Sequence, residues 1–148
     1  MSLIDNKKVH FNYEILDTIE AGIELLGFEV KSIRTKHGVL DASYAHIRDG
    51  KATLINAYIP PYQAGNTPES YNPERTRNLL LSKKEMRDIE SRLETHGLTI
   101  VPIAMYNKGS KIKVSLGIAR GKKTHDKRES IKKREVDRDI RRTLKTGK

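Results

Sequence analysis

The residues best able to do chemistry sit at one end of the chain. Arg120–Lys148 carries 13 Lys and Arg against five Asp and Glu, which places a net +8 of the chain's formal +10 in its last 29 residues. Residues 1–119 hold 16 bases and 14 acids, a net of only +2. Clustered ammonium and guanidinium groups pair with phosphate, and each phosphate neutralised releases a counterion, so binding falls steeply with salt. Beyond Ala119 the apolar side chains able to pack are Ile131, Val136, Ile140 and Leu144. So few cannot offset the ordering entropy of the segment, and its like charges repel. Free of a partner it is expected to be disordered, and its helix formers, with Gly only near the two ends and no Pro, predict a helix on contact with a polyanion.

Other chemistry is poorly supported. The five His (10, 37, 46, 96 and 125) show no His-x3-His spacing and no HExxH, so no metal and no cofactor are expected. With no Cys there is no disulfide, thiolate site or Cys nucleophile. Glycine-rich phosphate loops are missing too. A nuclease pairing Asp or Glu (Glu29, Asp41, Asp49) with His is the alternative reading, and a general single-strand-binding barrel is a third. Among the aromatic residues, Tyr62 and Tyr71 lie in a polar loop beside Arg75 and Arg77 and are the better candidates for base contact.

The elements that must carry these residues can be read from periodicity. Residues 1–9 read as a loose lead. Phe11, Tyr13 and Ile15 alternate with polar residues, which predicts a strand from His10 to about Gly22. Val30, Ile33 and His37 fall on one helical face, with Glu29 in the first turn and Gly38 as the stop. Asp49-Gly50 predicts a hairpin between strands at about 39–47 and 52–59. Residues 60–78 read as a long polar loop. Ser82 followed by Glu85 is a capping box, Met86, Ile89 and Leu93 give the stripe behind it, and Gly97 ends the helix. Strands at 98–106 and 111–119 follow, the second alternating Ile112, Val114, Leu116, Ile118.

A mainly β domain over 1–119 is therefore expected, with a basic tail over 120–148. About six short antiparallel strands and two to three helices favour a closed barrel of the oligonucleotide-binding (OB-like) type. With 36% hydrophobic and 32% charged residues, the chain has no run near the roughly 20 apolar residues of a membrane helix, and Met1–His10 has no apolar stretch of a secretory signal. A cytoplasmic protein that binds nucleic acid, not membrane, is expected.

Several stretches, in order, resemble one family. They are Glu20-Ala21-Gly22-Ile23; Gly27-x-Glu29-Val30-Lys31-Ser32-Ile33-Arg34; Leu40-x-x-Ser43-Tyr44; Asp49-Gly50; and Pro60-x-Tyr62. Then come Pro73-x-Arg75-x-Arg77-x-Leu79-Leu80-Leu81, Val101-Pro102 with Tyr106, and Gly121-Lys122-Lys123-x-His125-Asp126-Lys127-Arg128 with Ile131-Lys132-x-Arg134. The pattern is similar to the small protein B (SmpB) family, protein partners of transfer-messenger RNA in bacterial ribosome rescue. Val136 departs from it, standing where many members carry an aromatic residue.

The resemblance implies a non-enzymatic OB-like protein that binds the tRNA-like domain of transfer-messenger RNA and delivers it to stalled ribosomes. It implies an RNA-holding face of Asn6, Lys7, His10, Glu29, Lys31, Arg34, Arg75 and Arg77. The tail, through Lys122, Lys123, His125, Asp126, Lys127, Arg128, Lys132, Lys133, Arg134 and Arg138, would meet the decoding centre and empty mRNA path. Elongation factor Tu, through the charged tRNA-like domain, is a further implied partner, and the protein itself is expected to be a monomer.

A peptide of residues 120–148 should show little helix by circular dichroism in dilute buffer and gain it when RNA is added; a stable helix in buffer alone would contradict folding on contact.

Overall fold

The computed structural model describes residues 2–63, 65 and 67–122, so the expectations for the tail from Lys123 onward lie outside the described residues. The elements, in order, are β1 (Ser2–Asp5), α1 (Val9–Asn12), β2 (Tyr13–Ile23), α2 (Gly27–Arg34), β3 (Tyr44–Arg48), β4 (Lys51–Ile55), β5 (Arg77–Leu80), α3 (Lys83–His96), β6 (Thr99–Lys108) and β7 (Lys111–Gly121). Every pairing is antiparallel, and the neighbours run β6-β3-β4-β5-β2-β7, with β7 returning to β6. Six strands thus close a ring, the OB-like barrel expected. The seventh strand, β1, lies outside that ring count and pairs with β6 at Ala104–Tyr106, on the edge that β3 meets only at Ile100.

Local chemistry explains the elements that the sequence announced. Asp49 (φ 52°) and Gly50 (φ 75°) both take left-handed conformations, as a tight turn matched to strand twist requires. The Ser82 hydroxyl accepts from the Glu85 N–H at 3.1 Å while the Glu85 carboxylate accepts from the Ser82 N–H at 3.0 Å, closing the capping box on α3. Pro102, which cannot donate to a ladder, sits where the β6–β7 register shifts between Pro102 and Ala104.

The barrel interior takes one face of each strand. Leu54, Ile100, Met105, Val114, Leu116 and Ile118 have no exposed surface, and α2 adds Ile33. On the outer side of β6 and β7, Val101 and Ala119 are also buried, because Val9 of α1 covers them together with Tyr13, Ile15 and Ile103.

The structure corrects five expectations. Residues 1–9 are not a loose lead: they hold β1 and the start of α1. His10 belongs to α1, not to a strand, since Val9 must turn inward to cover the second cluster. Helix α2 ends at Arg34, not Gly38, with Lys36 (φ 65°) taking the left-handed position beyond it. The supposed loop 60–78 runs into a strand at its end, Arg77–Leu80, with Arg77 and Leu79 inward. Strand β7 runs to Gly121, two residues beyond the boundary drawn after Ala119.

Candidate nucleic-acid interface

Glu29 stands in the first turn of α2 and is fully buried. Its Oε1 accepts from the Leu26 N–H at 2.8 Å, which caps the helix start. It also accepts from Arg75 Nη2, while Arg75 Nε lies 3.1 Å from Oε2. Oε2 further accepts from Arg77 Nε at 2.8 Å and Arg77 Nη2 at 2.6 Å. Arg77 has no exposed surface either, and its remaining donors reach the carbonyls of Ala57 (2.6 Å), Pro73 (2.9 Å) and Arg75 (3.0 Å). The Tyr71 hydroxyl lies 2.8 Å from both Glu29 Oε2 and the Ile59 carbonyl, to one of which its single proton donates. Its ring meets Phe28 edge to face, with centroids 4.7 Å apart.

The electrostatics follow from this enclosure. Burial pushes the Glu29 carboxyl up. Hydrogen bonds from Arg75, the Leu26 N–H, Arg77 and Tyr71 overcome that pressure and hold it below the usual glutamate range. Burial, then the bond to Glu29, pushes Tyr71 up to about 12, so it stays a neutral donor. This cluster is a bolt joining α2 to the segment between β4 and β5.

The sequence placed Glu29, Arg77 and Tyr71 at RNA; in the structure their polar groups bond to one another. Asn6 is likewise buried: its N–H donates to the Ile103 carbonyl at 2.8 Å and its Nδ2 to the Pro102 carbonyl at 2.9 Å, fixing the turn into α1. An isolated polar group is costly to bury, and the bonds to Glu29, Arg77 and Tyr71 and to the Asn6 amide nitrogens offset that cost.

Lys7, His10, Lys31 and Arg34 are exposed, and Arg75 is half-buried. Arg34 Nη2 donates to the Ser110 carbonyl at 2.8 Å, bringing the end of α2 to the β6–β7 turn. Between them runs a groove of about 420 Å³ with Val30, Ile23 and Leu80 on its walls and Arg34, Lys111 and Lys113 at its edge. Cations beside an apolar wall can pair with phosphates while bases or riboses pack between. Lys111 and Lys113 were missed in the sequence; their signal is the alternation of β7, which puts both opposite its inward Ile112 and Val114.

A second missed cluster is Glu20, which accepts from the Tyr106 hydroxyl and from Lys108 Nζ at 2.8 Å. Those bonds, Lys108's first, hold Glu20 below the usual range. Burial, then the bond to Glu20, raises Tyr106 to about 12. Of the implied tail contacts, Lys122 alone is among the described residues; Lys123, His125, Asp126, Lys127, Arg128, Lys132, Lys133, Arg134 and Arg138 lie outside them.

The family model described as SmpB protein matches residues 3–146. The chain belongs to the SmpB family. It is 51% identical over 143 residues to the SsrA-binding protein of Gloeothece citriformis (strain PCC 7424), covering 97% of this chain and 92% of that one. The SsrA-binding protein of Streptococcus agalactiae serotype III (strain NEM316) is 51% identical over 140 residues, covering 95% of this chain and 90% of that one. A solved structure described as "tmRNA-SmpB: a journey to the center of the bacterial ribosome" contains a chain that superposes with a TM-score of 0.68 at 42% identity, over 86% of this chain and 92% of that one. Thus the family is shown by sequence and by fold together, and SmpB membership agrees with the OB-like ring described above.

Two outcomes test the bolt. Glu29→Ala leaves the buried Arg77 guanidinium without its counter-charge and should cost about 3–5 kcal/mol in urea unfolding. Because the folded pKa of Glu29 is depressed below 4.5, its contribution is fully present above that value and lost as pH falls through the folded one. The stability difference between the wild type and Glu29→Gln should therefore be flat from about pH 6 to 8 and shrink below about pH 4.5.

Proposed function

We propose that this protein binds the tRNA-like domain of transfer-messenger RNA and delivers it to stalled ribosomes for trans-translation, acting as an adaptor without catalysis of its own. The observation that carries this reading is the match of nearly the whole chain to SsrA-binding proteins and to a chain of a transfer-messenger RNA–SmpB structure. The charge distribution supports it, with a nearly neutral body and +8 in the last 29 residues.

In this reading Lys7, His10, Lys31, Arg34 and Arg75 face the RNA, with the groove edge Lys111 and Lys113 beside them. Glu29, Arg77, Tyr71 and Asn6 hold that face in shape. The tail, with Lys123, His125, Asp126, Lys127, Arg128, Lys132, Lys133, Arg134 and Arg138, meets the small-subunit decoding centre and the empty mRNA path. Elongation factor Tu joins through the charged tRNA-like domain, and the protein acts as a monomer. Among the described residues no helix is long and apolar enough to cross a membrane. The cytoplasm, where ribosomes translate, is the proposed compartment.

Removing residues 123–148 should leave affinity for the tRNA-like RNA within about threefold, because the face lies in the body, yet abolish peptide tagging on stalled ribosomes. An equal loss of RNA affinity, or cleavage of labelled RNA by the pure protein with Mg²⁺, would overturn the adaptor reading.

A further inference from the structure

The last ladder pair of β7 is Gly121 opposite Tyr13, the first residue of β2. Before Tyr13 the chain coils as α1, so β2 offers no ladder partner to Lys122. Lys122 is fastened in another way. Its N–H donates to the Asn12 carbonyl at 2.9 Å, and its Nζ donates to the His10 carbonyl, also at 2.9 Å. Both acceptors belong to the last turn of α1, where carbonyls have no partner within a helix and a cation is favoured.

The anchor for these bonds is itself held in place. Val9 is 2% exposed and packs on Val101 and Ala119, and Asn6 ties the preceding turn to β6. Lys122 is thus joined through α1 to both β6 and β7.

We infer that Lys122 is a positioning residue: with α1 it sets the point and direction at which the basic stretch leaves the body, and it is not one of that stretch's own ribosome contacts. The consequence for rescue rests on the function proposed above; the fastening itself does not. The short N-terminal helix then has two jobs. Its side chain His10 faces outward with Lys7, while its terminal carbonyls hold the root of the tail.

The test uses full-length protein, free and on stalled ribosomes, in three variants. Lys122→Met keeps the aliphatic stem without the ammonium, Lys122→Arg restores a donor, and Val9→Ala loosens α1 without changing charge. By amide hydrogen exchange of the free wild type, the Lys122 N–H should be protected. Protection there should fall roughly three- to tenfold in Lys122→Met, the effect of about one hydrogen bond, return in Lys122→Arg, and leave the Leu116 amide unchanged. Tagging should fall in Lys122→Met and Val9→Ala in step with lost protection, with RNA affinity unchanged in Lys122→Met.

An unprotected Lys122 amide in the wild type overturns the inference. So does a Lys122→Met variant that loses tagging while its amide stays protected, since that is the mark of a direct phosphate contact. If Val9→Ala does not fold, the two Lys122 variants decide. If the wild type itself fails to tag, the proposed function falls, and the exchange measurements alone judge the fastening.

Discussion

One buried carboxylate organises the working half of this protein. Glu29 is withdrawn from water and shared between two guanidinium groups, one wholly buried and one at the edge. Removing any single partner would strand a charge, because the desolvation of Arg77 is offset only by the bonds it makes to Glu29 and to backbone carbonyls. The placement matters as much as the energy. Arg77 is the first residue of β5, opposite Leu54 of β4. On its other side β5 pairs with β2 only at Gly22 and Ile23. That pairing is short, like the single β3–β6 pair at Ala45 and Ile100, and the bolt lies beside it. It therefore secures the closure of the barrel, the long connection before β5 and the orientation of α2 at once.

That orientation reaches the surface. Helix α2 turns its first-turn acid inward, and the same rotation sends Lys31 and Arg34 outward. Arg34 then spans to Ser110, so the β6–β7 turn and α2 frame one groove. Elsewhere the body neutralises itself: Arg92 pairs with Asp17, Arg120 with Glu14 and Lys108 with Glu20. These are exposed pairs that add little stability. Residues 1–119, at net +2, hold polyanions weakly at random.

Much of this was legible in the chain. The capping box at Ser82, the Asp49-Gly50 turn and the alternation of β7 are signals contained within a few residues, and each appears where expected. What escaped was short or distant. Strands β1 and β5 have four residues each, too few for a period of two to stand out, and α1 is a single turn placed by what Val9 covers. The role of Glu29 depended on partners 42 to 48 positions away, and no local pattern marks an acid as buried. Sequence similarity marked the residue; only the fold shows that it is buried and bonded to Arg75 and Arg77. Lys111 and Lys113 were legible in principle, being the outward residues of a strand whose inward ones had been identified.

The two ends of the chain show why such assignments need three dimensions. By charge, Lys122 counts with the basic tail; by geometry it belongs to the body. The difference follows from strand pairing. An antiparallel ladder needs a partner at every step, and β2 supplies none before Tyr13, because α1 must turn there to bury Val9. The ladder ends for that reason, not because Gly121 breaks it. The carbonyls left open at the end of α1 then receive the next residue's N–H and ammonium. A helix too short to stand alone is stabilised by the strand it stops, and the residue just after that strand is held by the helix. This reciprocity gives the junction between body and tail a defined geometry. A basic stretch leaving a freely jointed point would spread its charge over every nearby phosphate; one leaving a fixed root is aimed.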